Sequence, residues 1–276
     1  VPKKLTSTKL SSLEQTAQHI RINIIKMITR AGSGHPGGSL GMTDIFTVLY
    51  FHLLNHQPNQ PQWPKRDYLL LSNGHICPVL YATLAQAGYF PLKKLDTLRK
   101  INSDLQGHPK IQPTLGVETS SGPLGQGLSQ ACGLAIAFKN DNKPNHIYCL
   151  MSDGEQQEGQ VWEAYMLAAK FKLDNITVII DRNHIQIGGN TEEVMPLKIL
   201  KQKIQAFGWA VLEIDGHNFQ EIASAISQAK NDQKPTAVIA NTTLGKGVSF
   251  MENDAQWHGK VPSEKQAKQA IEELTR

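Results

Sequence analysis

The sequence predicts an α/β fold, a parallel sheet with helices on both faces, and three observations carry that prediction. Its second half alternates short apolar runs with helix-length segments, the pattern of right-handed crossovers between parallel strands. The apolar runs at 68–71, 147–151 and 176–180 each lead into turn-forming residues, as strands do on leaving a sheet. A chain of 276 residues, 40% hydrophobic and 19% charged, has the length and ordinary globular composition to bury such a core.

Ser11 and Ser12 offer a cap to a first helix, in which Leu13, Ala17, Ile20, Ile24 and Met27 recur at helical spacing up to Arg30. A glycine-rich turn follows at 32–38, then an apolar helix over 42–54 and a loop with three prolines over 55–64. Residues 68–71 read as a strand entering the turn Ser72-Asn73-Gly74-His75, with a helix from about 76 to 88. Residues 106–127 are rich in Gly, Pro, Ser and Thr without sustained periodicity, and so long an irregular stretch inside a domain is expected to carry function. A small-residue helix spans 128–138. Strand and helix then alternate at 147–151, 161–171, 176–180 and 196–207, followed by 210–214, 219–229 and 237–240. No internal repeat or domain-sized linker is visible. A single domain over 1–276 is expected, with a short polar N-terminus and a tail after about Gly259.

Composition narrows the function classes. The net charge of +4 comes without a basic stripe: Lys3, Lys4 and Lys9 stand apart from Lys93-Lys94 and Arg99-Lys100, so these read as solvated faces and no nucleic-acid partner is expected. No apolar run reaches membrane-span length, and residues 1–10 do not read as a signal peptide. Cys77, Cys132 and Cys149 form neither a disulfide framework nor a zinc spacing, which points to a reducing cytoplasm.

Ser152-Asp153-Gly154 and Asn183 carry the chemistry. The 28 residues from 155 to 182 amount to about one helix plus one strand, so Asp153 and Asn183 can meet at the tips of neighbouring parallel strands, where open sheets bind ligands. Asp153, the Asn183 amide oxygen and a backbone carbonyl, Ile185 being the natural one, would leave octahedral positions for phosphate oxygens and water, which suits Mg2+. Gly154 lets the backbone approach a diphosphate. Spacing alone equally allows two unrelated turn residues. Gly122-Pro123-Leu124-Gly125-Gln126-Gly127 precedes a helix, whose terminal amides favour phosphate, although a plain loop-to-helix junction reads the same way. Gly32-Ser33-Gly34-His35-Pro36-Gly37 matches G-x-G-x-x-G but follows a helix and contains proline, so a nicotinamide site is a weak reading. His35, His75, His108 and His258 sit in glycine- and proline-rich segments, where imidazoles suit hydroxyl and phosphate contacts and proton transfer. His19, His52, His146 and His217 read as structural.

Taken together, Gly34-His35-Pro36-Gly37, Ser72-Asn73-Gly74-His75, Gly107-His108-Pro109, the 122–127 motif, Asp153-Gly154 with Glu158-Gly159, Asn183 and Trp257-His258-Gly259 stand in the order found in transketolases, which the chain resembles over roughly residues 11–262. The resemblance implies the thiamin diphosphate-binding (PP domain) fold and an enzyme moving a two-carbon ketol unit between sugar phosphates. It implies Mg2+, with Ca2+ or Mn2+ as substitutes, on Asp153, Asn183 and the Ile185 carbonyl. Cofactor contacts would come from His75, Gly122, Pro123, Leu124, Gly154, Asn183 and His258. His35, His108 and His258 would face the reacting carbons and substrate hydroxyls, and Glu158 would join a carboxylate network across a subunit interface. Glu155 and Glu158 are both expected on the diphosphate side of the cofactor. The family usually has Gly where this chain has Ser152, which is tolerable if φ stays negative there.

Transketolases are normally more than twice this length, and the glutamate that activates their thiazolium carbon lies in a domain with no counterpart here. The chain therefore looks like the N-terminal subunit of a split transketolase, completed by a C-terminal subunit carrying the pyrimidine-binding domain, in an α2β2 assembly. A fragment of a longer protein has the same sequence. A related ketol transferase acting on an unusual sugar and a non-catalytic assembly or regulatory protein retaining the fold are the other readings. The His108 and Trp257-His258-Gly259 segments argue against a deoxyxylulose-phosphate synthase.

Overall fold

The computed structural model describes residues 4–112 and 115–276, so Lys3 lies outside the described residues. Strands β1 (Tyr68–Leu71), β2 (Ile147–Ser152) and β3 (Ile176–Arg182) are followed by a short antiparallel hairpin of β4 (Ile185–Gln186) and β5 (Gly189–Asn190), then β6 (Ala210–Asp215) and β7 (Thr236–Asn241). Among the described residues, the main sheet has the order β1-β2-β3-β7-β6 and every pairing in it is parallel. The expected parallel sheet is present.

Side chains on each strand alternate between two apolar layers, as the two-residue period of a strand requires. Tyr148, Leu150, Ile179 and Val238 face one layer, which packs against α1 (Ser7–Ala31), α3 (Thr43–Val48), α4 (Cys77–Gln86) and α9 (Phe219–Lys230). Ile147, Cys149, Met151, Val178 and Ile180 face the other, against α5 (Gln126–Asn140), α6 (Gly159–Lys170) and α8 (Leu200–Ala206). Both faces are covered, so the central strands are apolar throughout; β3 is buried along its whole length. Each such buried aliphatic side chain contributes about 1.5–3 kcal/mol.

Several element boundaries differ from the sequence expectation, each for a local reason. The first helix starts at Ser7, because the Thr6 hydroxyl accepts the Lys9 N–H; Ser11 and Ser12 lie inside it. It ends at Gly32, whose N–H bonds to the Ile28 and Thr29 carbonyls. The turn expected over 32–38 is shorter, since α2 (Pro36–Gly41) begins at Pro36, a residue preorganised for a first helical position. The helix expected over 196–207 shrinks to α8, and α7 (Thr191–Val194), capped by the Asn190 side chain, precedes it. Beyond Gly259, where a tail was expected, α10 (Glu264–Leu274) opens with a Ser263/Gln266 capping box and buries Ala267, Ala270 and Leu274 in the layer that holds α1. Among the described residues no helix is long and apolar enough to cross a membrane, and Cys77, Cys132 and Cys149 are buried free thiols.

His146, read as structural, is buried just before β2 with its Nε2 bonded to Thr177 Oγ1 (2.8 Å). Burial first, then Lys230, lowers it to about 4. Between pH 4 and the unfolded value of 6.5 the unfolded chain therefore binds the extra proton. Stability that is fully present above pH 6.5 falls as pH drops toward 4, by about 3 kcal/mol for this group over the full shift. Urea unfolding at pH 7 and pH 4.5 is expected to show a shallower pH dependence for His146→Asn than for the wild type. Identical slopes would exclude this contribution.

Candidate active site

The carboxyl ends of β1, β2 and β3 lie side by side because the strands pair in register: Leu71 with Leu150, and Ser152 with Asp181. A cavity of about 370 Å3 opens above these tips. His35, His75, His108, His258, Gly122, Leu124, Asp153, Gly154, Glu158, Asn183 and Ile185 line it, drawn from segments up to 223 positions apart (35 to 258). Pro123 does not line it, although its neighbours on both sides do. Ser152, from the Ser152-Asp153-Gly154 motif, also reaches the cavity wall, as do Gly38, Gln157, Gln186 and Ile187, which were not anticipated.

Asp153 follows β2 and is 1% exposed. Its Oδ2 is occupied, accepting from Arg182 Nη1 and from the His184 N–H, both at 2.9 Å. Its Oδ1 is buried with no hydrogen-bond partner. A buried carboxylate oxygen without a donor is costly, and a cation is the natural complement. Burial outweighs the opposing pull of Arg182 and pushes the carboxyl up to about 6. Asn183, at the tip of β3, is fixed through both ends of its amide: Nδ2 donates to Asp181 Oδ2 (2.8 Å), and Oδ1 accepts from the Ile185 N–H (2.9 Å). Asp181 itself accepts from Thr242 Oγ1. The amide oxygen keeps a second lone pair, so an anionic oxygen, an amide oxygen and the Ile185 carbonyl meet the oxygen-donor requirement of Mg2+. Gly154 leaves the backbone open, the nearest atoms to a Cβ there being Gln186 Cβ and Oε1 at 3.9 Å. The donor set fits a divalent cation shared with a diphosphate.

Three of the four loop histidines form a compact cluster. Ring centroids lie 5.2 Å apart for His35 and His75, 5.6 Å for His35 and His258, and 5.1 Å for His75 and His258. Burial, then His258, Arg99 and His108, lowers His35 to about 4. Burial, then the neighbouring imidazoles, holds His75 well below its usual value. Burial also lowers His258, and burial followed by Arg99 lowers His108. These rings are neutral at pH 7, each able to donate at one nitrogen and accept at the other. His35 Nδ1 is buried without a partner, and a Cβ on Gly259 would lie 3.5 Å from the same ring.

At the loop-to-helix junction of 122–127, the Gly125 N–H donates to Glu155 Oε1 (2.8 Å) and the Gly127 N–H donates to Ser72 Oγ (3.0 Å), so these two amides are not open to phosphate. Glu155 does not itself line the cavity; both its oxygens are taken by protein donors around the β1 and β2 tips. Ser152 is not among the positive-φ residues, as its tolerance requires. Gln157 Nε2 donates to Gln186 Oε1 and to the Met195 carbonyl (both 2.8 Å), tying the turn after β2 to the hairpin that carries Ile185.

Residues 12–275 match the family model described as "Transketolase, thiamine diphosphate binding domain". The chain is 45% identical over 263 residues to the 6-deoxy-6-sulfo-D-fructose transketolase subunit SqwG of Clostridium sp. (strain MSTE9), covering 95% of this chain and 96% of that one. It is 40% identical to an apulose-4-phosphate transketolase subunit of Phocaeicola vulgatus, covering 97% and 95%. The crystal structure of the transketolase of Campylobacter jejuni superposes with a TM-score of 0.90 at 39% identity, over 96% of this chain but 43% of that one.

Proposed function

The chain belongs to the transketolase family, and on that premise we propose that it is the cofactor-anchoring subunit of a two-chain ketol transferase. The observation that carries this reading is the buried, unpartnered Asp153 Oδ1 beside the oriented Asn183 amide, at the mouth of a cavity walled by neutral histidines. Asp153, Asn183 and the Ile185 carbonyl hold a divalent cation, Mg2+ before Ca2+ or Mn2+, and Gly154 admits the diphosphate beside it. His75 and His258 would hydrogen-bond the cofactor, and Gly122 and Leu124 supply part of the wall. Thiamin diphosphate, when bound, supplies a thiazolium carbon that can add to a ketose carbonyl and stabilise the resulting negative charge. His35, His108 and His258 bind the sugar hydroxyls and move protons between them and the reacting oxygens. Glu158 lies on the cavity wall, with its Cβ where a Cβ on Gly125 would meet it, and joins the carboxylate network with the partner.

Two observations support a separate partner. The chain matches proteins named as transketolase subunits along 95–96% of their length, and a one-chain transketolase along 43%. The partner carries the pyrimidine-binding domain, and the natural assembly is α2β2. The donor is a sugar phosphate or another anionic ketose, since the relatives are named for 6-deoxy-6-sulfo-D-fructose and apulose 4-phosphate. The test is reconstitution. The purified chain alone is expected to transfer no ketol unit, and the chain mixed with its C-terminal partner is expected to do so across a panel of ketose phosphates and a sulfonated ketose. Robust turnover by the single chain would sink the two-chain reading.

A further inference from the structure

We propose that Glu155 is a positioning residue that clamps the 122–127 turn to the tips of β1 and β2, so that the cofactor cavity is shaped before any cofactor arrives. The inference rests on the reading of the cavity as a diphosphate site. Glu155 is 0% exposed, and its carboxylate accepts three hydrogen bonds from three separate segments. Ser72 Oγ, past the end of β1, donates to Oε1 at 2.5 Å. The Gly125 N–H donates to the same oxygen at 2.8 Å, and the Ser152 N–H at the end of β2 donates to Oε2 at 2.8 Å. Ser72 Oγ passes the linkage on by accepting the Gly127 N–H at 3.0 Å. One side chain thus joins two strand tips and the start of a helix.

The arrangement solves a problem set by the sequence. The 15-residue α5 begins at Gln126, and its N-cap is Gly125, with φ +79 and no side chain, so the orphan amides of its first turn lack a local cap. The Glu155 carboxylate supplies that cap from another segment, at the end of the helix where the dipole favours an anion. Gly127 fits so closely that a Cβ there would lie 2.3 Å from Ser72 Cβ, leaving the clamp no room for another residue. Held this way, Gly122 and Leu124 stay on the cavity wall while Glu155 remains outside it. An amide cannot substitute, because all three partners donate. A glutamine would keep one accepting oxygen and turn an NH2 group toward the Ser152 N–H.

Hydrogen–deuterium exchange on the purified, cofactor-free chain tests this directly, using Glu155→Gln and Glu155→Ala. In both variants the amides of Gly125 and Gly127 are expected to exchange at least tenfold faster, with those of α1 unchanged. Thiamin diphosphate with Mg2+, titrated calorimetrically into each protein reconstituted with its C-terminal partner, is expected to bind about tenfold more weakly to Glu155→Gln and more weakly still to Glu155→Ala. Wild-type exchange and affinity in either folded variant would overturn the proposal. So would uniform acceleration across all amides, the mark of general destabilisation. If Glu155→Ala does not fold, Glu155→Gln decides alone. Failure of the wild type to bind the cofactor would overturn the site reading together with this one, whereas binding by wild type and variants alike overturns only the role of Glu155.

Discussion

Asp153→Ala is expected to abolish Mg2+-dependent binding of thiamin diphosphate, with an affinity loss of at least a hundredfold. The carboxylate is 1% exposed and divides its labour between its two oxygens: Oδ2 holds Arg182 and the turn at His184, and Oδ1 meets no donor. Alanine removes both functions. It strips the cation of its one anionic protein ligand, and it leaves Arg182 buried without that partner, a loss that costs about 3–5 kcal/mol when a buried pair is broken. Arg182 keeps Glu192 and Thr191 Oγ1, which limits the structural damage. Asp153→Asn separates the two effects. Its amide oxygen can still accept from Arg182 and His184, while its NH2 group points a donor where the cation needs an acceptor. The expected result is a near-native melting temperature with cofactor binding lost. Calorimetry with and without Mg2+ checks this, and unchanged affinity in Asp153→Asn would remove the metal assignment.

The sheet was legible because both its faces are covered: Leu69-Leu70-Leu71 and Val178-Ile179-Ile180 are unbroken apolar runs, as strands sandwiched between helix layers are. The Asp153–Asn183 meeting was legible for the same reason, since one crossover between adjacent parallel strands fixes where both tips emerge. Local chemistry misled where a stronger local signal lay nearby. Ser11 and Ser12 are good caps, but a helix extends to the outermost residue that can cap it, and Thr6 does so. The helix beyond Gly259 was hidden because its buried stripe is mostly alanine, Ala267 and Ala270, which carries little periodic signal. Glu155 was hidden for a different reason. Its partners Ser72, Gly125 and Ser152 are brought together by the one long crossover from β1 to β2, and no spacing along the chain encodes that three donors will face one carboxylate.

With cofactor saturating, His258→Ala is expected to lower turnover of the reconstituted enzyme by about 10²–10⁴-fold, the range for loss of a positioned proton-transfer group. Removing one hydrogen bond to the charged diphosphate weakens cofactor binding by about ten- to a hundredfold, an effect that saturating cofactor masks. That split distinguishes His258 from Asp153, whose loss acts on binding. The cluster geometry explains why a single ring matters so much. His258 lies within 5.6 Å of both His35 and His75, and burial keeps all three neutral, so one ring can take a proton only if its neighbours stay uncharged. The cluster therefore works as a unit holding at most one proton. As pH falls, a first proton entering the cluster removes an acceptor that the reaction needs, so activity present near neutrality is lost on the acid side. In His258→Ala the repulsion it exerts on His35 and His75 disappears, and the acid limb of any residual activity is expected to move to higher pH. A pH–rate profile of wild type and variant measures both changes. Turnover intact in His258→Ala would reject its catalytic role, and an acid limb that does not move would reject the coupling of the three rings.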